Sequence, residues 1–336
     1  MTSEQEQERE KPSSSVVLKT FTEVTKEEKI ELKLIHKENY NDDVRLLRFA
    51  LPSENHVSGI PLGCHVLLWA KDVNRNQNNA NIAGFAEEQK DYFCRPYTPV
   101  SLVQSQKGYI DLIIKIYWPS FNEYGGGFVP GGKMGMKVET FEVGETCLFT
   151  GPHGSIEHEI KSKGMTSTFQ FKKKPGPENL MKKQNIQHLC MIAGGSGITP
   201  MLQLIREFFW RDEKEQYSDN CINKTMKITL IYANKTEDDI ICKKELDDMV
   251  SRSNGRFECV YVLSRMEDEC EEDQKRWKDQ LGYIGHVNLH LLRKHLPKPA
   301  NDHRFILVCG PKQFQTRAVC QNLAKLGWDR KDIHVM

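Results

Sequence analysis

An apolar run at residues 188–193 ends in Ala193-Gly194-Gly195-Ser196-Gly197-Ile198-Thr199-Pro200 and leads directly into a helical pattern. Met201, Leu204, Ile205, Phe208 and Phe209 fall at i, i+3, i+4, i+7 and i+8, one apolar face of a 3.6-residue period. Further strand-like runs at 226–233, 257–264 and 304–309 alternate with helical patterns around Leu246, Met249 and Val250 and at 314–326. Alternation of this kind, with helix-length crossovers, predicts a parallel sheet covered on both faces. The glycines let backbone approach a pyrophosphate, and the helix N-terminus offers free N–H groups and partial positive charge. Pro200 suits a first helical position. The spacing is not GxGxxG, so the turn by itself fits either a dinucleotide site or a purely structural role. Cys309-Gly310-Pro311 closes the last core strand at the same carboxyl edge, where ligands of open α/β sheets collect. A buried, inert thiol is the competing reading of Cys309.

Residues 30–150 read differently. Short β-branched and aromatic runs at 44–51, 65–70, 109–117 and 146–150 are separated by turn residues, the pattern of an all-β domain. The Asn-rich run 74–81 and Gly125-Gly126-Gly127 read as loops. Arg95-Pro96-Tyr97-Thr98-Pro99-Val100-Ser101 supplies a phosphate-pairing cation, a ring and hydroxyls, although an ordinary edge strand with prolines would look the same. Residues 161–183 hold seven lysines and one acid, Glu178, a net charge of +6, which suggests a Lys-rich interdomain linker over 156–186. Residues 1–29 read as a solvated, disordered tail, and the acids at 267–273 around Cys270 as an exposed loop.

The whole chain of 336 residues suggests about two domains. Its 47 basic and 46 acidic residues leave a net charge of +1, which argues against a nucleic-acid partner. No run approaches the roughly 18 apolar residues of a membrane span, so no membrane anchor is expected in this chain. Ten cysteines without CxxC spacing or a secretory signal predict neither a metal site nor a disulfide framework. A soluble, cytoplasmic monomer is expected, with membrane association only through partners.

Five motifs occur in order: Arg95-Pro96-Tyr97-Thr98 with Ser101, Gly131-Gly132-Lys133-Met134, Gly151-Pro152-His153-Gly154, the glycine turn 194–200, and Cys309-Gly310-Pro311. In this combination the chain resembles the NADH–cytochrome b5 reductase family of ferredoxin-reductase-like flavoenzymes, over residues 30–336. The resemblance implies an antiparallel β-barrel FAD-binding domain, residues 30–155, followed by an α/β Rossmann-like parallel-sheet NADH-binding domain, residues 187–336. It implies FAD contacts by Arg95, Pro96, Tyr97, Thr98 and Ser101, by Ile113, Lys115 and Trp118, by Lys133, Met134 and Gly135 through loop backbone, and by Thr199. For NADH it implies Gly194, Gly195 and Ser196 at the pyrophosphate, Cys309, Gly310 and Pro311 at the nicotinamide, and Asp239 at the adenosine ribose. A carboxylate at Asp239 favours NADH over NADPH, since it accepts from ribose hydroxyls and repels a 2′-phosphate; an acidic helix N-terminus is the bland alternative.

The implied reaction is hydride transfer from NADH to flavin, then single-electron transfer to cytochrome b5 or a similar acidic haem protein. Thr98 is expected near flavin N5 and Cys309 at the nicotinamide, the two positions closest to the chemistry. Lys133 and the linker lysines are the expected docking cations. The family usually has serine where this chain has Gly135, a loss of one hydroxyl contact worth about 1 kcal/mol. No aromatic residue stands at 333–336 to cover a flavin. Two other readings share part of the pattern. One is a reductase module for another one-electron acceptor or haem-fused partner. The other is a non-catalytic NADH sensor, which would keep the glycine turn but need not keep Arg95-Pro96-Tyr97-Thr98.

Overall fold

A computed structural model describes residues 18–21, 28–72, 92–102, 105–122, 127–154, 156–160, 167–172, 180–183, 186–215, 226–266, 270–279, 282–299 and 303–336. The first large element is a six-stranded antiparallel sheet. Its spatial order is Tyr92–Tyr97, His65–Lys71, Thr146–His153, Ile30–Asn39, Val44–Ala50 and Tyr109–Lys115. Alternating side chains such as Leu32 and Leu34, or Val66 and Leu68, fill one buried face. The segment just past the end of Tyr92–Tyr97 is joined to the other edge strand at Asp111. Val100 N–H donates to Asp111 O at 2.9 Å, and Asp111 N–H donates to Ser101 Oγ at 3.2 Å. These bonds close the β-barrel.

The second sheet has six strands, all parallel: Tyr283–Ile284, Phe257–Leu263, Lys227–Asn234, His188–Gly194, Arg304–Cys309 and Ile333–Val335. Strand His188–Gly194 is buried nearly throughout, as a strand covered on both faces must be. Leu189, Met191 and Ala193 join the core shared with the barrel. Cys190 and Ile192 face a second cluster under Leu291, Leu292, Val319 and Leu323. Chain order reverses between His188–Gly194 and Arg304–Cys309, and both glycine turns emerge at that switch point.

Helix Thr199–Glu215 buries Met201, Leu204, Ile205 and Phe208, as the period requires. Helix Lys243–Arg252 buries Leu246 and Met249. The expected helix at 314–326 opens instead as a π-helix, Phe314–Cys320, before the α-helical turn Gln321–Lys325.

Three expectations need correction. Part of the supposed tail is structured: Leu18–Lys19 pairs in parallel with His56–Val57, and Phe21 is fully buried in the core. One apolar anchor outweighs the polar composition around it. Half of the acidic run is helical, because Glu271, Glu272 and Asp273 occupy the first turn of Glu271–Asp279, where acids complement the helix dipole. Trp277 ties this helix to the core. The stretch read as a linker contains an antiparallel three-stranded sheet of Ile156–Ile160, Ser167–Lys172 and Leu180–Lys183. Residues 74–81, Gly125, Gly126 and Lys161, Lys163, Lys173 and Lys174 lie outside the described residues, as do 267–269 and most of 1–29. Among the described residues, no helix is long and apolar enough to cross a membrane, and no cluster of His, Cys, Asp or Glu could hold a metal ion.

Candidate active site

A cleft of about 510 Å³ lies where the barrel meets the switch point of the parallel sheet. Its barrel wall starts on the edge strand Tyr92–Tyr97. Pro96 can sit in that strand because an edge does not require every N–H. Strand alternation puts Arg95 and Tyr97 on one face, and both line the cleft with Pro96 and the following Thr98. Burial holds the Tyr97 phenol well above its ordinary range, so it stays neutral. The opposite edge strand contributes Ile113 and Lys115. Tyr117 continues their i, i+2 phase into the cleft, whereas Trp118 is not among the lining residues and is 43% exposed. The alternation itself could have found Tyr117.

Lys133, Met134 and Gly135 also line the cleft, but they are not loop. They form the first turn of helix Lys133–Glu139, whose opening backbone N–H groups have no intrahelical acceptor. The Lys133 ammonium contacts the Asp72 carboxylate and lies 4.5 Å from the centre of the Phe93 ring. Close backbone approach explains the glycines here: a Cβ at Gly131 would stand 2.9 Å from Tyr117 O, and one at Gly135 3.2 Å from Ile116 Cα. The usual serine would therefore press on the strand behind it. Ser101, by contrast, is buried and spent on Asp111 N–H, so it braces the barrel and does not line the cleft.

The α/β wall is formed by Ser196, Gly197, Thr199, Pro200, Cys309 and Gly310. A Cβ on Gly197 would sit 2.4 Å from Cys309 O, which shows how tightly the two turns interlock. Gly194 and Gly195 lie behind that wall. Gly194 is packed under the Phe314 ring, and Gly195 takes φ +54°. Pro311 likewise does not line the cleft, and Thr199 Oγ1 donates back to Ser196 O at 3.2 Å. Burial pushes the Cys309 thiol up to about 11, so it is a protonated wall atom rather than a nucleophile.

Asp239 stands apart from the cleft lining. Its Oδ1 accepts from Lys115 Nζ at 2.7 Å, and its Oδ2 accepts from Thr236 N–H and Oγ1–H at 3.1 and 3.0 Å. Burial raises the Asp239 pKa, but the Lys115 and Thr236 bonds outweigh it and hold the carboxyl below its ordinary value. Lys115 also pairs with Asp43 at 2.9 Å. Burial lowers the Lys115 pKa, and the two carboxylates more than reverse that.

Sequence reasoning missed Gly63, His65, Gly132, Gly154, His334 and Met336, all of which reach the cleft. His65 and His334 are each pushed down to about 4, chiefly by burial, and so are neutral near pH 7. Strand Ile333–Val335, paired beside Arg304–Cys309, brings in His334 and Met336. Gly132 and Gly154 stand in two of the five sequence motifs without a role assigned to them there, whereas no local pattern marks Gly63, His65, His334 or Met336.

The donor set suits a flavin dinucleotide. Cations and free helical N–H groups suit phosphates, and the neutral Tyr97 phenol with glycine-thinned backbone admits a flat ring system. Residues 31–158 match the model of the oxidoreductase FAD-binding domain, and residues 191–320 that of the oxidoreductase NAD-binding domain. Fold and site together define a two-domain flavoprotein oxidoreductase that uses FAD and NADH. The chain is 36% identical over 303 residues to human NADH-cytochrome b5 reductase 2, covering 90% of this chain and 92% of that one. It is 34% identical over 305 residues to the Danio rerio NADH-cytochrome b5 reductase 2, with coverages of 91% and 83%. The cytochrome b5 reductase domain of Ulva prolifera nitrate reductase shares the fold, with a TM-score of 0.71 at 24% identity over 93% of this chain and 99% of that one. The chain belongs to the NADH–cytochrome b5 reductase family.

Proposed function

We propose that this oxidoreductase passes single electrons from its NADH-reduced flavin to cytochrome b5. The observation that carries the reading is the meeting of the Arg95–Thr98 wall with the interlocked 196–197 and 309–310 turns in one cleft, in a chain whose relatives are named for that acceptor. FAD, when bound, supplies the conversion of a two-electron donor into one-electron steps. The chain's own residues bind and orient. Arg95 and the first-turn N–H groups at Lys133–Gly135 hold phosphates, while Tyr97 and Thr98 contact the ring system. Ser196, Gly197, Cys309 and Gly310 leave room for the nicotinamide against it, with Gly194, Gly195 and Pro311 holding the turns behind. Asp239 accepts from the adenosine ribose once it exchanges its bond to Lys115. Neutral His65 and His334 and the protonated Cys309 keep the cleft free of competing charge.

The sequence charge of +6 over 161–183 favours encounter with an acidic haem protein. Lys133, already engaged with Asp72, contributes less charge to it. Anaerobic stopped-flow mixing tests the reading. NADH should bleach the flavin bands, and cytochrome b5 should then reoxidise the protein, about tenfold faster at low salt than at high salt. Reduction by NADH without faster reoxidation by cytochrome b5 would leave the flavin chemistry standing and eliminate this acceptor.

A further inference from the structure

Helix Thr199–Glu215 begins at the glycine turn and runs under the barrel. Thr199, Gln203 and Arg206 lie at i, i+4 and i+7, so they share one face. That face grips the barrel segment carrying Tyr97 and Thr98. Gln203 is 1% exposed, and both ends of its amide are used. Oε1 accepts from Gly63 N–H at 2.7 Å, while Nε2 donates to Pro99 O at 3.0 Å and to Cys64 O at 3.4 Å. The partners fix the amide's orientation, because a flipped amide would face donor to donor and acceptor to acceptor. One turn on, Arg206 donates from Nη1 to Val100 O at 2.6 Å and clamps Glu245 through Nε and Nη2 at 2.7 and 2.6 Å.

We propose that Gln203, supported by Arg206, is a positioning residue for hydride transfer: it sets the separation between the flavin-side segment 97–100 and the nicotinamide-side turn 196–199. One rigid helix carries both the turn and the amide, and the amide is bonded to two different cleft segments, 63–64 and 99. Gly63 and Thr98, neighbours of those bonds, line the cleft on the barrel side, and Ser196 and Thr199 line it on the other. Gln203 touches no reacting atom. It acts through backbone, and a buried two-ended amide bond leaves the two walls little freedom to slide. This role rests on the reading that segment 95–101 holds the flavin.

The test uses the full chain as isolated with its flavin. Gln203→Met keeps volume and removes every bond, while Gln203→Glu keeps an acceptor for Gly63 N–H and removes the donor to Pro99 O. In Gln203→Met, amide hydrogen exchange at Gly63 should accelerate. Flavin reduction by NADH in single turnovers should fall about tenfold or more, the sensitivity expected when reacting groups lose alignment. Flavin content and NADH dissociation constant should stay within about twofold of wild type, placing the loss on the chemical step. Gln203→Glu should keep Gly63 protected yet slow reduction, and it decides the matter if the Met variant does not fold. Undiminished reduction in a folded variant with lost Gly63 protection would overturn the proposal. So would a rate that falls only in proportion to lost flavin. Separately, full flavin retention by Arg95→Ala would reject the placement of flavin at 95–101, whatever Gln203 does.

Discussion

The barrel wall of the cleft carries its charged and aromatic side chains, whereas the two turns of the α/β wall meet backbone to backbone. Arg95, Tyr97, Lys115 and Lys133 reach in from edge strands and one helical turn. Across from them, Ser196, Gly197, Cys309 and Gly310 present main chain at contact distance, with Gly197 leaving no space for a methyl group. The contrast follows from topology. An antiparallel edge strand projects every second side chain to one face, while the carboxyl end of a parallel strand presents its turn. The barrel wall should therefore fail by lost chemistry, and the α/β wall by added volume.

The largest effect is expected where added volume meets backbone. Gly197→Ala places a carbon against Cys309 O, so NADH-driven flavin reduction should drop about a hundredfold while flavin stays bound. Single-turnover kinetics with a flavin assay checks it, and equal loss of flavin would blur the distinction between the walls. Arg95→Ala is the reciprocal case. Removing a charge-assisted contact worth about 1.5–3 kcal/mol should weaken FAD retention roughly tenfold to a hundredfold, measurable by ultrafiltration.

Lys115 lies on the barrel wall and pairs with Asp239 of the α/β half, outside the cleft lining, and Lys115→Met should destabilise the chain by about 1.5–3 kcal/mol at pH 7, the range for hydrogen bonds to charged groups. The pH dependence has a definite sign. Asp239 is held below its ordinary value, so its contribution is present above about pH 4 and disappears as pH falls through the folded value. Lys115 is held above its ordinary value, so its contribution is lost only at strongly alkaline pH. Urea unfolding of both proteins should show the gap closing under acid conditions. The smallest effect is expected for Gly135→Ser. Its Cβ would press on Ile116 Cα at 3.2 Å, lowering thermal stability by about 1 kcal/mol, against a new hydroxyl contact of similar size.

Legibility in the sequence follows the same division. The α/β half was readable because its strands are continuous apolar runs and its helices keep a strict period; strand Arg304–Cys309 has the expected bounds. The barrel half gave four strands by pattern but not Ile30–Asn39, and the edge strand Tyr92–Tyr97 entered only as the plain alternative for the Arg95–Ser101 motif. Trp118 and Ser101 were expected at the flavin, yet neither lines the cleft, and Ser101 closes the barrel. Trp118 stands beside Tyr117, which does line it, and Ser101 three positions after Thr98, offsets that a motif cannot resolve without strand phase.

By itself the sequence determined the two-domain plan and the two glycine turns, because periodicity and glycine placement are local properties; the cofactor class came from the family resemblance that its five ordered motifs carry. The tertiary structure alone decided that Phe21 is core, that His65, His334 and Met336 share the cleft, and that Lys115 and Gln203 tie the two halves together. Those residues lie up to hundreds of positions apart. Their meeting depends on strand order and on how the helix after the glycine turn packs against the barrel, and no short window of sequence encodes either.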